Sequence, residues 1–253
     1  MNENEAIRHI KQLGSPKKAI AAQRFFKTGK GQYAEGDKFV GVTVPEVRKL
    51  ARECGELTLE QLEVLLDSPL HEARLLALCV LTDRFPKTEA STQKVIFEFY
   101  LKKRNQINNW DLVDASAAPI VGGYLHTRGR SRLHQLSRSA SLWDRRIAIV
   151  ATHYFIRRQD FADTLTIAER YLHETEDLMH KASGWMLREV GKQNEKALTD
   201  FLLRHAQSMP RTMLRYAIER LSPVQKKQFM IRDGIAVSPA TKGSRSYPGR
   251  KNR

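Results

Sequence analysis

Cysteine, glycine and proline are all scarce: 253 residues include 2 Cys, 14 Gly and 9 Pro. Cys54 and Cys79 are too far apart for a CxxC motif, and their leucine-rich surroundings predict buried free thiols. That excludes a disulfide framework and makes a reducing cytoplasm the expected compartment. No apolar run approaches the ~20 residues needed to span a bilayer. The start, Met1-Asn2-Glu3-Asn4-Glu5, lacks the basic and apolar regions of a signal peptide. Strand signals are nearly absent; the one candidate, Lys38-Phe39-Val40-Gly41-Val42, is short and glycine-bounded and reads as a connecting loop. Motifs for common chemistries are missing too. His173 and His180 have no Cys or His partner at metal spacing, Gly122-Gly123 has no phosphate-loop pattern, and no Gly-x-Ser-x-Gly elbow occurs. Neither a metal nor a cofactor is expected.

Acid is also in deficit, with 28 Asp and Glu against 43 Lys and Arg, for a formal charge of +15 and a pI near 10.0. Such an excess favours a polyanion, nucleic acid or an anionic membrane surface. A membrane partner would call for an aromatic-rich amphipathic helix outside the core, and none is found.

What remains is helical almost throughout. Leu75-Leu76-Ala77-Leu78-Cys79-Val80-Leu81 is a continuous apolar run, predicting a helix buried on most sides. Leu59, Leu62, Leu65 and Leu66 form an amphipathic stripe behind a capping box of Thr58 and Gln61. Further helix starts are marked by Ser15-Pro16, Thr43-Val44-Pro45, Ser141 with Asp144, and Met209-Pro210. A degenerate echo places a basic residue at the head of small and apolar runs at Glu72–Ala77, Asp144–Ile149, His180–Trp185 and Met213–Ile218. The copies are separated by one or two multiples of ~35 residues, a helix-pair repeat length. The chain therefore reads as all-α, an α-solenoid of stacked helix pairs forming one domain over 1–237. From 238 to 253 the composition turns to Pro, Gly, Ser and five basic residues without acid, which predicts a disordered basic tail.

All three tryptophans sit beside formal charge. Trp110 and Asp114 are i, i+4 neighbours, so indole and carboxylate project side by side; Asp111 points elsewhere and supports the first turn. A carboxylate against an aromatic wall suits a reaction in which positive charge develops. Lys181, Trp185, Arg188 and Lys192 share one helix face. Like charges so placed repel one another, and a phosphate backbone along that face would relieve the repulsion. Arg146 opens the middle repeat, where its guanidinium could clamp a phosphate bidentately, with Arg145, Arg128, Arg130 and Arg132 making looser contacts. Trp143, at a helix start before a core stripe, reads as packing.

Four stretches in order resemble the AlkD-type DNA alkylation repair enzymes, the HEAT-like-repeat alkylpurine DNA glycosylases. They are Tyr33-Ala34-Glu35-Gly36-Asp37-Lys38-Phe39-Val40-Gly41-Val42-Thr43-Val44-Pro45-Glu46-Val47-Arg48, Asn109-Trp110-Asp111-Leu112-Val113-Asp114, Leu142-Trp143-Asp144-Arg145-Arg146, and Gly184-Trp185-Met186-Leu187-Arg188-Glu189. The resemblance implies a HEAT-like solenoid with a concave basic face for duplex DNA. It also implies hydrolytic excision of cationic N3- or N7-alkylated purines without metal or cofactor, and without flipping the lesion into a pocket. Trp110, Asp114 and Trp185 match the family's catalytic positions and Arg146 its DNA-contacting arginine. Where some members carry a DNA-facing tyrosine, this chain has Phe25, which can stack but cannot donate a hydrogen bond. A cytoplasmic, nucleoid-associated monomer is the expected working form. The rival reading is a solenoid that binds DNA or a protein partner through the same face without cleaving. Only convergence of Trp110, Asp114, Arg146 and Trp185 on one patch separates the two.

Overall fold

A computed structural model describes residues 1–231, and every described regular element is helical. The end of the domain read over 1–237 and the basic tail over 238–253 lie outside the described residues. The start signals act as expected. Ser15 precedes Pro16 at the head of α2 (Pro16–Phe25), Thr43 and Glu46 box α3 (Val44–Glu53), and Thr58 and Gln61 box α4 (Leu59–Leu66). In each box the cap side chain and the side chain three residues on satisfy backbone N–H groups that the first turn leaves unpaired. An Asn2–Glu5 box likewise opens α1 (Glu3–Leu13).

The apolar run predicted to be buried on most sides is α5 (His71–Arg84), in which His71 to Leu81 are all buried. After α6 (Ala90–Lys102) comes α7 (Trp110–Ala117), which runs through a π-turn at Ala118–Gly122 into the short α8 (Gly123–Leu125). Pro119 sits in that turn, where its missing N–H breaks the regular ladder. The chain continues through α9 (Ser131–Leu136), α10 (Leu142–Ala151), α11 (His153–Ile156), α12 (Ala162–Arg170), α13 (Asp177–Gln193), α14 (Glu195–His205), α15 (Arg211–Ala217) and α16 (Pro223–Met230).

Helices α3, α5, α7, α10, α13 and α15 pack successively side by side as an inner row, while α4, α9, α12 and α14 lie against individual members of it. This is the solenoid of helix pairs that the sequence implied. All four copies of the sequence echo fall in the inner row, on α5, α10, α13 and α15. One apolar core runs continuously from α1 to α13, and a second cluster carries on around α14 to α16. Gly184 sets the spacing at the site: a Cβ there would lie 2.4 Å from the Met213 carbonyl oxygen, so its absence lets α15 close onto α13.

The Lys38–Val42 segment is the expected loop, touching Leu70 by one isolated parallel bridge from Lys38. It is fastened by buried Glu72, whose carboxylate accepts the N–H groups of Val40, Gly41 and Val42, the shortest contact being 2.8 Å to Gly41. Gly41 turns there at φ 86°, and a Cβ would meet the Ser15 carbonyl oxygen at 2.3 Å. Cys54 and Cys79 are both buried free thiols. Among the described residues no helix is long and apolar enough to cross a membrane.

Candidate active site

A cavity of about 550 Å³ opens on the inner row, and its wall includes Trp110, Asp114, Arg146, Lys181, Trp185 and Arg188. Six residues singled out in the sequence, from three helices, thus come together. Trp110 is the first residue of α7; buried Asn109 caps it, accepting the Trp110 N–H at 2.8 Å. One turn later Asp114 projects beside it, as the i, i+4 spacing requires.

Arg146 departs from the expected role. It is 4 % exposed, and its fork grips the Asp114 carboxylate at both ends, Nε to Oδ1 at 2.9 Å and Nη2 to Oδ2 at 2.8 Å. Nη1 donates to the Leu178 carbonyl at 2.6 Å. The bidentate geometry read as a phosphate clamp is directed at a protein carboxylate instead, because α10 packs against α7 and brings the two charges face to face. Burial pushes the Asp114 carboxyl above its ordinary range and Arg146 pulls it back; burial prevails. The result is a half-buried acid, held at both oxygens and facing an aromatic wall.

Trp185 faces the cavity from α13. Its indole N–H donates to Glu189 at 3.2 Å, and the His153 ring lies 5.9 Å away. The stripe on α13 is not the row of repelling cations that the spacing suggested. Lys181 pairs with Asp177 at 2.8 Å, Lys192 with Glu189 at 2.7 Å, and Arg188 with Glu219 of the neighbouring turn. Acids one turn away or on the next element interleave the stripe, and Lys192 lies outside the cavity wall. Asp111 also does more than support its own turn, since its Oδ2 meets His71 Nε2 at 2.8 Å. Trp143 packs on the core, as read, with its edge towards Tyr33.

Some of the wall was not anticipated. Tyr33 and Lys27 reach it from the segment before α3, and Tyr216 from α15. Tyr33 shares the wall with Trp110; burial raises its hydroxyl pKa, and Trp110, Lys181 and Arg146 oppose the shift. Phe25, 66 % exposed, stands edge-on to Trp110 at 5.8 Å, so an aromatic does occupy the rim there. Tyr33 opens the Tyr33–Arg48 stretch, but a loop has no periodicity by which to foresee its direction. Tyr216 is delivered by the close approach at Gly184, where a Cβ would also lie 2.5 Å from Tyr216 Cβ.

The family profile described as DNA alkylation repair enzyme matches residues 6–221. The chain belongs to that family. Among solved structures it is similar to a predicted DNA alkylation repair enzyme from Enterococcus faecalis, with a TM-score of 0.64 at 17% identity over 83% of this chain and 97% of the other. It is also similar to a member of a new family of proteins related to the HEAT-like repeat DNA glycosylases with affinity for branched DNA structures. That likeness has a TM-score of 0.56 at 11% identity and covers 86% of this chain and 83% of the other. At such identities these likenesses speak to the fold, the HEAT-like solenoid. No curated protein sequence matches the chain.

Proposed function

We propose that this member of the DNA alkylation repair family is a DNA glycosylase that hydrolyses the N-glycosidic bond of cationic N3- or N7-alkylated purines in duplex DNA. The observation that carries the reading is the convergence of Trp110, Asp114 and Trp185 on one cavity, with Asp114 locked by Arg146. Alkylation at N3 or N7 puts a positive charge on the base. When the C1′–N bond breaks, its electron pair leaves with the base and neutralises that charge, so the leaving group needs no proton. The sugar left behind is oxocarbenium-like, as in glycoside hydrolysis. Asp114 stabilises that cation and orients the water whose oxygen bonds to C1′; the water proton passes to the carboxylate or to solvent. The indoles of Trp110 and Trp185 pack on the deoxyribose and add cation–π attraction.

Arg146 favours the ionised carboxylate against the effect of burial and holds it in one orientation, which preserves a role in the site without a direct phosphate bond. Lys181 and Arg188 on the wall, and Lys192 beyond it, supply attraction for the backbone. The protein acts as a cytoplasmic monomer on double-stranded DNA. The E. faecalis protein's description and the profile match favour this repair reading. The affinity of the second relative for branched DNA favours the rival, a solenoid that binds without cutting. Base release from duplex carrying 7-methylguanine decides between them. The wild-type protein releases the free base, and Asp114→Asn slows the single-turnover step by orders of magnitude while still binding DNA. An undiminished Asp114→Asn rate rules the mechanism out.

A further inference from the structure

Beneath the wall that carries Trp110 lies a second charged group with no part in the chemistry above. His71, at the start of α5, is 2 % exposed. Its Nδ1 stands 3.0 Å from Asp37 Oδ2 and its Nε2 stands 2.8 Å from Asp111 Oδ2. A neutral imidazole has one donor and one acceptor, so it could satisfy only one of two carboxylates; an imidazolium donates to both. Asp37 is held ionised by further donors, Arg74 Nη2 at 2.5 Å and Asn109 Nδ2 at 3.1 Å. Its pKa lies below the usual range, because bonds from His71, Arg74 and Asn109 outweigh burial. Asp111 has less support: its Oδ1 is enclosed without a hydrogen-bond partner, so the His71 proton is its one charged contact among the described residues. Apart from these groups, the Phe26 and Phe39 rings face His71.

Two paths lead from this ring to the cavity. Asp111 is the residue after Trp110, on the same first turn of α7. A column of rings also climbs from His71 to Phe39 at 4.4 Å, from Phe39 to Phe26 at 4.9 Å, and from Phe26 to Trp110 at 5.2 Å, each pair stacked. On the other side Asp37 ends the segment that brings Tyr33 to the cavity. Positive φ values at Gly31 and Gly36 mark that segment as a run of turns with little regular structure to fix it.

We propose that His71, as an imidazolium, is a positioning residue for the candidate active site, setting Trp110 through Asp111 and the Tyr33 segment through Asp37. The inference rests on the glycosylase reading for its consequence, though not for its geometry. Its pH dependence has a definite sign. The two carboxylates raise the His71 pKa above the ordinary histidine value against the effect of burial. The clamp is therefore complete below the ordinary value and is lost as pH rises through the folded-state pKa.

The test uses the full-length protein. The His71 ring is titrated by NMR while the Trp110 indole N–H resonance, assigned with Trp110→Phe, is followed, and single-turnover base release from 7-methylguanine duplex is measured over the same pH series. The indole resonance is expected to move with the His71 midpoint, and the rate to fall on the alkaline side with that midpoint. His71→Gln should abolish the alkaline step and lower the rate roughly 10- to 100-fold, the scale of an ångström of misplacement, with DNA affinity nearly unchanged. Asp111→Asn, which removes one carboxylate and leaves the ring, should lower the His71 midpoint. A His71 ring that stays neutral throughout, or one whose titration leaves the Trp110 resonance unmoved, overturns the proposal. If the wild-type protein releases no base at any pH, the glycosylase reading fails, and the coupled resonances still decide the positioning role.

Discussion

Replacing Arg146 with glutamine isolates the charge that holds Asp114. The guanidinium nitrogens are 2.9 and 2.8 Å from the two carboxylate oxygens, which puts the charge centres about 4 Å apart. At an effective dielectric near 20 that separation corresponds to ~4 kcal/mol. The Asp114 side chain keeps 19 % of its surface open to water, so screening reduces the figure to about 2 kcal/mol. Breaking a buried pair costs about 3–5 kcal/mol if the orphan stays charged, but here the carboxyl can take up a proton instead, which limits the loss of stability.

Single-turnover base release across the acid range reads the effect. Wild-type activity should fall as pH drops through the raised Asp114 pKa, because the protonated acid no longer stabilises a cation. In Arg146→Gln that limb should move to higher pH, with much of the rate recovered above it. The salt dependence of DNA binding should not change. Coincident acid limbs in the two proteins would refute the coupling. If the salt slope also fell by about 0.9, Arg146 would be a phosphate ligand after all.

Tyr33→Phe removes a hydroxyl from the cavity wall beside Trp110, and loss of ~1 kcal/mol should slow base release about fivefold; an unchanged single-turnover rate would take Tyr33 out of the working wall. Gly184→Ala puts a Cβ 2.4 Å from the Met213 carbonyl, so overpacking of about 1–3 kcal/mol should lower Tm by ~2–4 °C per kcal/mol, measured by calorimetry. Lys181→Ala, on the cavity wall, should reduce the salt slope of duplex binding by about 0.9, whereas Lys192→Ala, outside the wall, should reduce it less.

The architecture was open to a reader of the chain because local signals and the tertiary fold agree. Thr58 and Gln61 cap where they should, and the run from Leu75 to Leu81 is buried as its unbroken apolarity implied. The Trp110–Asp114 pair was equally legible, since both residues lie on one helix and spacing alone sets their direction. Partners across helices were not. Arg146 finds Asp114 from 32 residues away, and His71 finds Asp111 from 40. Helical periodicity says which residues share a face and is silent on which face it meets. On α13 that blindness covers only Glu219, which reaches Arg188 from the next element; Asp177 and Glu189 lie on α13 itself, one turn from Lys181 and Lys192, and were legible in the spacing.

The loop fastened by Glu72 gives the cavity two separable parts. Three backbone N–H groups on the Glu72 carboxylate, with the Asp37 bonds to His71 and Arg74, hold the segment that ends at Val42 to α5, the helix packed beside the α7 that carries Asp114. The rim supplied by Phe25, Lys27 and Tyr33 is thus built before α3, apart from the acid and its guanidinium on α7 and α10. On the proposed reading, the groups that would meet the lesion at the rim and the acid that would act on the bond come from different stretches of the chain.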